Sequence, residues 1–196
     1  MNEKYVQSGR KIQKLKTRDK ILKSAQLLLD KNKDITLEDV AKHADISRAT
    51  IYRYYSSIDI LAAEAILDLN TISPQELYED VKSKDLNNAI LAIQEYYNQL
   101  TIDHEAGFRK YMSVVLNADQ SDKIRGARRK KTMKMLLKKK ARNLKREEVE
   151  NLANLATVLM GIEAFVVTKD VCGLDNTQSK ELLKWGMEKL LHSIIN

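Results

Sequence analysis

A chain of 196 residues with one proline and six glycines has little means of turning hairpins. Many-stranded folds place Gly and Pro at their turns, so their scarcity argues for helices joined by short capped loops. The two most β-like runs, 162–167 and 51–55, both sit inside longer patterns of three- and four-residue spacing. Hydrophobic residues make up 43% of the chain, enough for a real core. The predicted fold class is all-α.

Residues 1–16 are polar and basic and read as a mobile arm. A first helix is predicted from Thr17 to Lys31, with Ile21, Ala25, Leu28 and Leu29 on one side. Thr36, with Asp39 three residues on, is a variant capping box for a short second helix with Leu37, Val40 and Ala41 inward. Ala44-Asp45-Ile46 makes a tight turn, and Ser47 caps a third helix through about Tyr54. Ser57 caps a fourth, carrying Ile60, Leu61, Ala65, Leu67 and Leu69. Ser73-Pro74-Gln75-Glu76 is the clearest helix start, because proline at the first helical position gives up an N–H that has no partner there anyway. Leu86, Ile90, Ile93, Tyr97 and Leu100 mark one further helix, and Phe108, Tyr111, Met112 and Val115 another. The basic segment 121–143 is weakly amphipathic through Ile124, Met133, Leu136 and Leu137.

The last two predicted helices differ from these. Residues 148–171 are apolar nearly all round, through Leu152, Leu155, Val158, Leu159, Ile162, Phe165 and Val166, so this helix must be covered on several sides. Residues 178–195 carry Leu182, Leu183, Met187, Leu190, Leu191, Ile194 and Ile195 as a wide stripe. Gly161 and Gly186 interrupt these rows at roughly 1 kcal/mol each against alanine, and close helix approach is one reason for their presence. Two helices with excess apolar surface point to a homodimer through a four-helix interface. Trp185 fits interface or core better than cofactor stacking. The predicted organisation is a basic arm and small helical domain over 1–60, then a larger helical domain over 61–196 that carries the dimerising helices.

The net charge of +7 is unevenly spread. Residues 1–23 hold eight Lys/Arg against Glu3 and Asp19, and residues 123–146 hold thirteen Lys/Arg and no acid, so the remainder is net acidic. Basic islands attract polyanions, of which nucleic acid is the commonest in a cytoplasm; a solvated helix face is the other reading of 123–146. One cysteine, Cys172, excludes an internal disulfide and a cysteine-based zinc site, and fits a reducing, cytoplasmic setting. The first residues lack a signal peptide's apolar core, and no run reaches the roughly 18 apolar residues of a membrane span. No cofactor and no membrane partner are expected.

The segment that carries chemistry is Thr36-Leu-Glu-Asp-Val-Ala-Lys-His-Ala-Asp-Ile-Ser-Arg-Ala-Thr-Ile-Tyr-Arg-Tyr-Tyr55. A helix-turn-helix needs a short apolar helix, a tight turn, an apolar lock between its helices and a small or polar outward face on the second. Val40, Ala41, Ile46 and Ile51 supply the lock. Arg48 suits a guanine edge, and Thr50 or Ala49 a thymine methyl; small Ala49 also allows close approach to the duplex. Thr36, Ser47, Tyr52 and Tyr54 suit phosphate oxygens, and Arg53 either task.

On these residues, the stretch from Arg18 to Leu61 resembles the N-terminal domain of TetR-family regulators. Ile21 and Ala25 match the first helix, Thr36 to Ala41 the second, and Ser47 to Tyr55 the recognition helix with its tyrosines. Three positions depart from the pattern: the turn glycine is Asp45, the aromatic after the recognition tyrosines is Tyr55 rather than Phe, and the lysine opening the fourth helix is Ile58. The last removes one expected phosphate contact, for which Arg10, Lys11, Lys14 and Lys16 of the arm are candidate replacements. The resemblance implies a homodimeric repressor on a palindromic operator, its half-sites about one helical turn (~34–36 Å) apart. It also implies release by a small molecule that binds the DNA-incompetent state better.

The resemblance places that molecule among the middle helices, which here carry Leu67, Tyr97, Phe108, Met112, Met133, Leu137, Met160 and Glu163. Tyr and Met suit apolar or aromatic ligands and Glu163 a cation, while core packing or an ion pair accounts for the same residues. An enzyme is disfavoured. His43, His104 and His192 lie far apart, Asp103-His104-Glu105 fits helix capping better than a metal, and no phosphate-binding loop or hydrolase motif occurs. A nonspecific nucleic-acid binder using both basic islands is the second rival.

Overall fold

The scarcity of helix breakers is realised as eleven α-helices and one π-helical turn, with no strand among the described residues. The structure is a computed structural model describing residues 3–31, 34–69, 71–117 and 127–195. In order the helices are α1 (Glu3–Lys31), α2 (Leu37–His43), α3 (Arg48–Tyr52), α4 (Ile58–Leu69), α5 (Pro74–Val81), α6 (Leu86–Asp103) and α7 (Glu105–Asn117). Then come α8 (Arg128–Lys140), α9 (Arg146–Val158), α10 (Ile162–Val166), the π-turn (Val167–Val171) and α11 (Asn176–Ile195). The chain divides into one unit from residues 1–70 and 109–124 and another from 71–108 and 125–196. Residue 60, where the sequence places its boundary, lies inside α4. Helix α7 begins in the second unit and ends in the first.

In the first unit α1 is far longer than its apolar spacing predicts. Residues 3–16 continue the helix instead of forming a mobile arm, because Glu, Gln, Lys and Arg are good helix formers and only Gly9 intervenes. Lys14 and Lys16 are exposed; the side chains of Arg10 and Lys11 lie outside the described part. Ile21 and Ala25 of α1 pack on Leu37, Val40 and Ala41 of α2, Ile51 of α3, and Ile60, Leu61 and Ala65 of α4, with Tyr111 of α7 against the same cluster. Beneath α3, Arg18 forms an ion pair with Glu64 and donates from Nε to the Tyr55 hydroxyl at 3.3 Å. Burial opposes Arg18's charge, yet Glu64 and Tyr55 together raise its pKa above the ordinary arginine value. Burial likewise pushes the Tyr55 phenol well above its usual range.

The second unit begins at the predicted box: Ser73 Oγ accepts from Glu76 N at 3.2 Å, and Glu76 accepts from Ser73 N at 2.7 Å. Its core joins Ile90, Ile93 and Tyr97 of α6 to Met133, Leu136 and Leu137 of α8, Leu152 of α9, Met160, and Met187 and Leu191 of α11. Ile124 and the start of the basic run lie outside the described residues. Within α8 part of that run is paired, Lys130 and Lys134 meeting Glu150 of α9 at 2.9 and 2.6 Å. Lys134 and then Lys130 hold the Glu150 carboxyl down at about 2.

The predicted single helix over 148–171 is instead broken. Residues 159–161 separate α9 from α10, and the chain bends by 50° between residues 146–158 and 162–171. Gly161 has φ 85° and ψ −172°, a conformation essentially confined to glycine. Arg129 of α8 donates to Met160 O, to Thr157 O at 3.4 Å, and to Glu163 Oε2 at 2.7 Å. Asn98 of α6 accepts from Gly161 N at 3.0 Å, and Gln94 donates to Leu159 O and Leu183 O, both at 2.8 Å. The break is thus satisfied by side chains far away in sequence. Within the chain itself, a Cβ at Gly186 would meet only Leu159 Cδ2, at an ordinary 3.8 Å.

Nor is this stretch covered on all sides within the chain. Leu152, Ile162 and Phe165 are buried, but Leu155, Val158, Val167 and Val171 are exposed, as are Leu182 and Trp185 of α11. Val171 stands 78% exposed and Val158 66%, unusual for aliphatic side chains in helices. No single helix among the described residues is long and apolar enough to cross a membrane.

Candidate nucleic-acid interface

Helix α2 starts where the Thr36 hydroxyl accepts from Asp39 N at 3.2 Å and the Asp39 carboxylate accepts from Thr36 N at 2.9 Å. The Thr36 hydroxyl proton goes to the same carboxylate at 2.6 Å, which with the backbone bond holds Asp39 below the usual carboxylate range. At the other end Ile46 N donates to Ala41 O at 3.0 Å, closing the turn in Schellman fashion around Asp45, whose φ is 47°. Asp accepts this left-handed conformation better than most residues, so the missing glycine leaves the turn intact.

Ser47 Oγ then caps α3 by accepting from Thr50 N at 3.1 Å, and lies 2.8 Å from Thr50 Oγ1. One hydroxyl proton of that pair remains for an outside acceptor. Ile51 is fully buried and pins α3 to the core. Arg48, Ala49 and Arg53 are exposed, Tyr52 is 42% exposed, and Thr50 is half-buried. Tyr54 is half-buried and packs against the core, so less of it faces outward than the others. The sequence reading missed Glu38, whose Oε1 accepts from Tyr52 Oη at 2.7 Å and lies 3.0 Å from Arg48 Nε. Its separations of ten and fourteen residues follow no helical spacing. It also gave Tyr55 no role, although Arg18, Tyr55 and Glu64 fasten α1 and α4 to the end of the motif.

Of the candidate ligand residues, Tyr97, Met133, Leu137 and Met160 are buried together in the second unit's core, with Phe108 half-buried against it. Burial pushes the Tyr97 phenol up to about 12, and its hydroxyl lies 3.0 Å from Thr132 Oγ1. Glu163 is paired with Arg129. Leu67, on α4, and Met112, on α7, belong to the first unit instead; the Leu67 side chain lies outside the described part. Among the described residues no group of three or more His, Cys, Asp or Glu is placed to hold a metal ion.

The family described as bacterial regulatory proteins, tetR family, matches residues 24–65, which span the end of α1, the capped α2, the turn, α3 and most of α4. Over those residues the chain is similar to TetR-family regulators. No curated protein matches it. A crystal structure of a TetR transcriptional regulator from Rhodococcus sp. RHA1 is 14% identical, covering 91% of this chain and 97% of that one at a TM-score of 0.47. The match supports a DNA-binding transcriptional regulator, and α2 to α3 lie within the matched residues.

Proposed function

We propose that this chain is a cytoplasmic TetR-family repressor that binds a palindromic operator as a homodimer and leaves it when a small molecule binds. The observation that carries the reading is α3, pinned by Ile51 while Arg48, Ala49, Tyr52 and Arg53 stand outward. In this assignment residues 1–60 hold the duplex. Arg48 reads a guanine and Thr50 or Ala49 a thymine methyl, while Ser47 and Tyr54 fix register on phosphates, with Arg53 in either role. Thr36 and Tyr52, whose hydroxyl protons go to Asp39 and Glu38, pack beside the duplex backbone instead. Residues 61–196 take the effector, an apolar or aromatic molecule near Tyr97, Phe108, Met133, Leu137, Met160 and Glu163, with Leu67 and Met112 as further candidates. Saturating effector should lower operator affinity, and an effector that leaves it unchanged sinks that part.

Selection of bound fragments from random duplexes at physiological salt tests DNA readout. Recovery of one inverted repeat is expected, with Arg48→Ala losing about 1–3 kcal/mol of discrimination at one base pair per half-site. Unrelated fragments, bound equally by Arg48→Ala and Tyr52→Ala, favour a nonspecific polyanion binder instead.

Dimerisation rests on the exposed Leu155, Val158, Val167, Val171, Leu182 and Trp185, which a second copy would cover. Trp185→Glu or Val158→Glu is expected to leave the helical content unchanged and convert the sedimenting species from two chains to one. Variants that still sediment as two chains place the interface elsewhere.

A further inference from the structure

Glu38 occupies the second position of α2, on the surface from which α3 presents Arg48 and Tyr52. A carboxylate there opposes binding of a polyanion, yet this one is engaged on both sides. It takes the Tyr52 hydroxyl at 2.7 Å and Arg48 Nε at 3.0 Å, while the Arg48 guanidinium carbon lies 5.7 Å from the Tyr52 ring centroid. Three exposed side chains from two helices therefore brace one another.

We propose that Glu38 is a positioning residue for DNA readout, holding Arg48 and Tyr52 in their presenting orientation and raising specificity at the expense of general affinity. The proposal rests on readout of DNA by α3. An arginine has five N–H donors; with Nε–H turned to Glu38, the two terminal amino groups remain for the O6 and N7 of guanine. Arg48 held in this way has less rotamer freedom to lose on docking than a free arginine. The Glu38 charge meanwhile repels phosphates within a Debye length, about 8 Å at physiological salt, in every duplex alike. Correct sites recover that loss through Arg48, and incorrect ones do not. This is specificity by a repulsive element as well as an attractive one.

The test uses the full-length protein, the best duplex from a random-library selection and a scrambled duplex of equal length. Glu38→Ala is expected to bind the scrambled duplex more tightly and to lose about tenfold in the ratio between the two. The loss falls at the base pairs whose preference Arg48→Ala erases, and Glu38→Ala with Arg48→Ala loses no more than Arg48→Ala alone. Glu38→Gln, which keeps an acceptor oxygen without the charge and preserves the helix start, falls between wild type and Glu38→Ala. An unchanged ratio in both Glu38 variants overturns the proposal. So does a loss at base pairs that Arg48→Ala leaves intact, since Glu38 would then be reading a base itself, as acceptor for a cytosine amino group. A wild-type protein that binds both duplexes alike removes the underlying DNA readout, and the proposal with it.

Discussion

Gly161→Ala is expected to destabilise the second unit by about 3–5 kcal/mol, although alanine is the better helix former and the position lies in an apolar, helix-like run. Two effects add. A side chain at φ 85°, ψ −172° is strained by about 1–3 kcal/mol whatever space surrounds it. The new Cβ would also stand 2.4 Å from Arg129 Nη1. That guanidinium ends a flexible side chain, so it can swing aside, but it then gives up Met160 O, Thr157 O and Glu163. Hydrogen bonds involving a charged group contribute about 1.5–3 kcal/mol each, less where Glu163 is partly open to water. Trp185 is the chain's single tryptophan and lies in this unit, so its fluorescence in a urea titration reads the change. In an Arg129→Ala background the same substitution should cost only the backbone part, about 1–3 kcal/mol. Gly186→Ala, in the interior of α11 with room for a methyl, should be neutral or stabilising by up to about 1 kcal/mol. Equal effects at the two glycines would refute this account of the break.

That pair of glycines shows what one sequence makes legible. Elements closed by contacts three or four residues apart were readable: Thr36 with Asp39, Ser47 with Thr50, Ser73 with Glu76. The break at 159–161 was not, because the residues that satisfy it, Gln94, Asn98 and Arg129, lie 31 to 65 residues away. The length of α1 was missed for the opposite reason. Apolar spacing marks only the part of a helix that packs, and residues 3–16 are helical without such a stripe.

The candidate site divides along the same line. Arg48, Ala49 and Tyr52 follow from the order of caps, turn and aromatic residues, whereas Glu38 becomes visible only when α2 and α3 are folded against each other. The ligand residues fare worst, since residue type does not separate a pocket lining from a packed core. Tyr97, Met133, Leu137 and Met160 are all buried, as either reading requires.

Arg18→Ala is expected to cost the first unit about 3–5 kcal/mol, since it leaves Glu64, only 15% exposed, without its cation. Tyr55→Phe should cost about 1 kcal/mol, because Arg18 and Glu64 still have each other when the phenol is gone. That ordering separates an ion pair that needs both partners from an aromatic ring valued mainly for its volume. Replacing the pair together, Arg18→Met with Glu64→Leu, should recover most of the loss, since no unpaired charge is then buried. Amide exchange along α1 and α4 reports these changes where Trp185, in the other unit, does not. DNA recognition should follow stability. Tyr55 immediately follows the α3 region and Ile51 is anchored in the same core, so loosening α1 from α4 loosens the seat of the recognition helix. Arg18→Ala should therefore weaken operator binding without touching a base, and the double replacement should restore it. If stability returns in the double replacement but operator binding does not, Arg18 acts on the duplex directly.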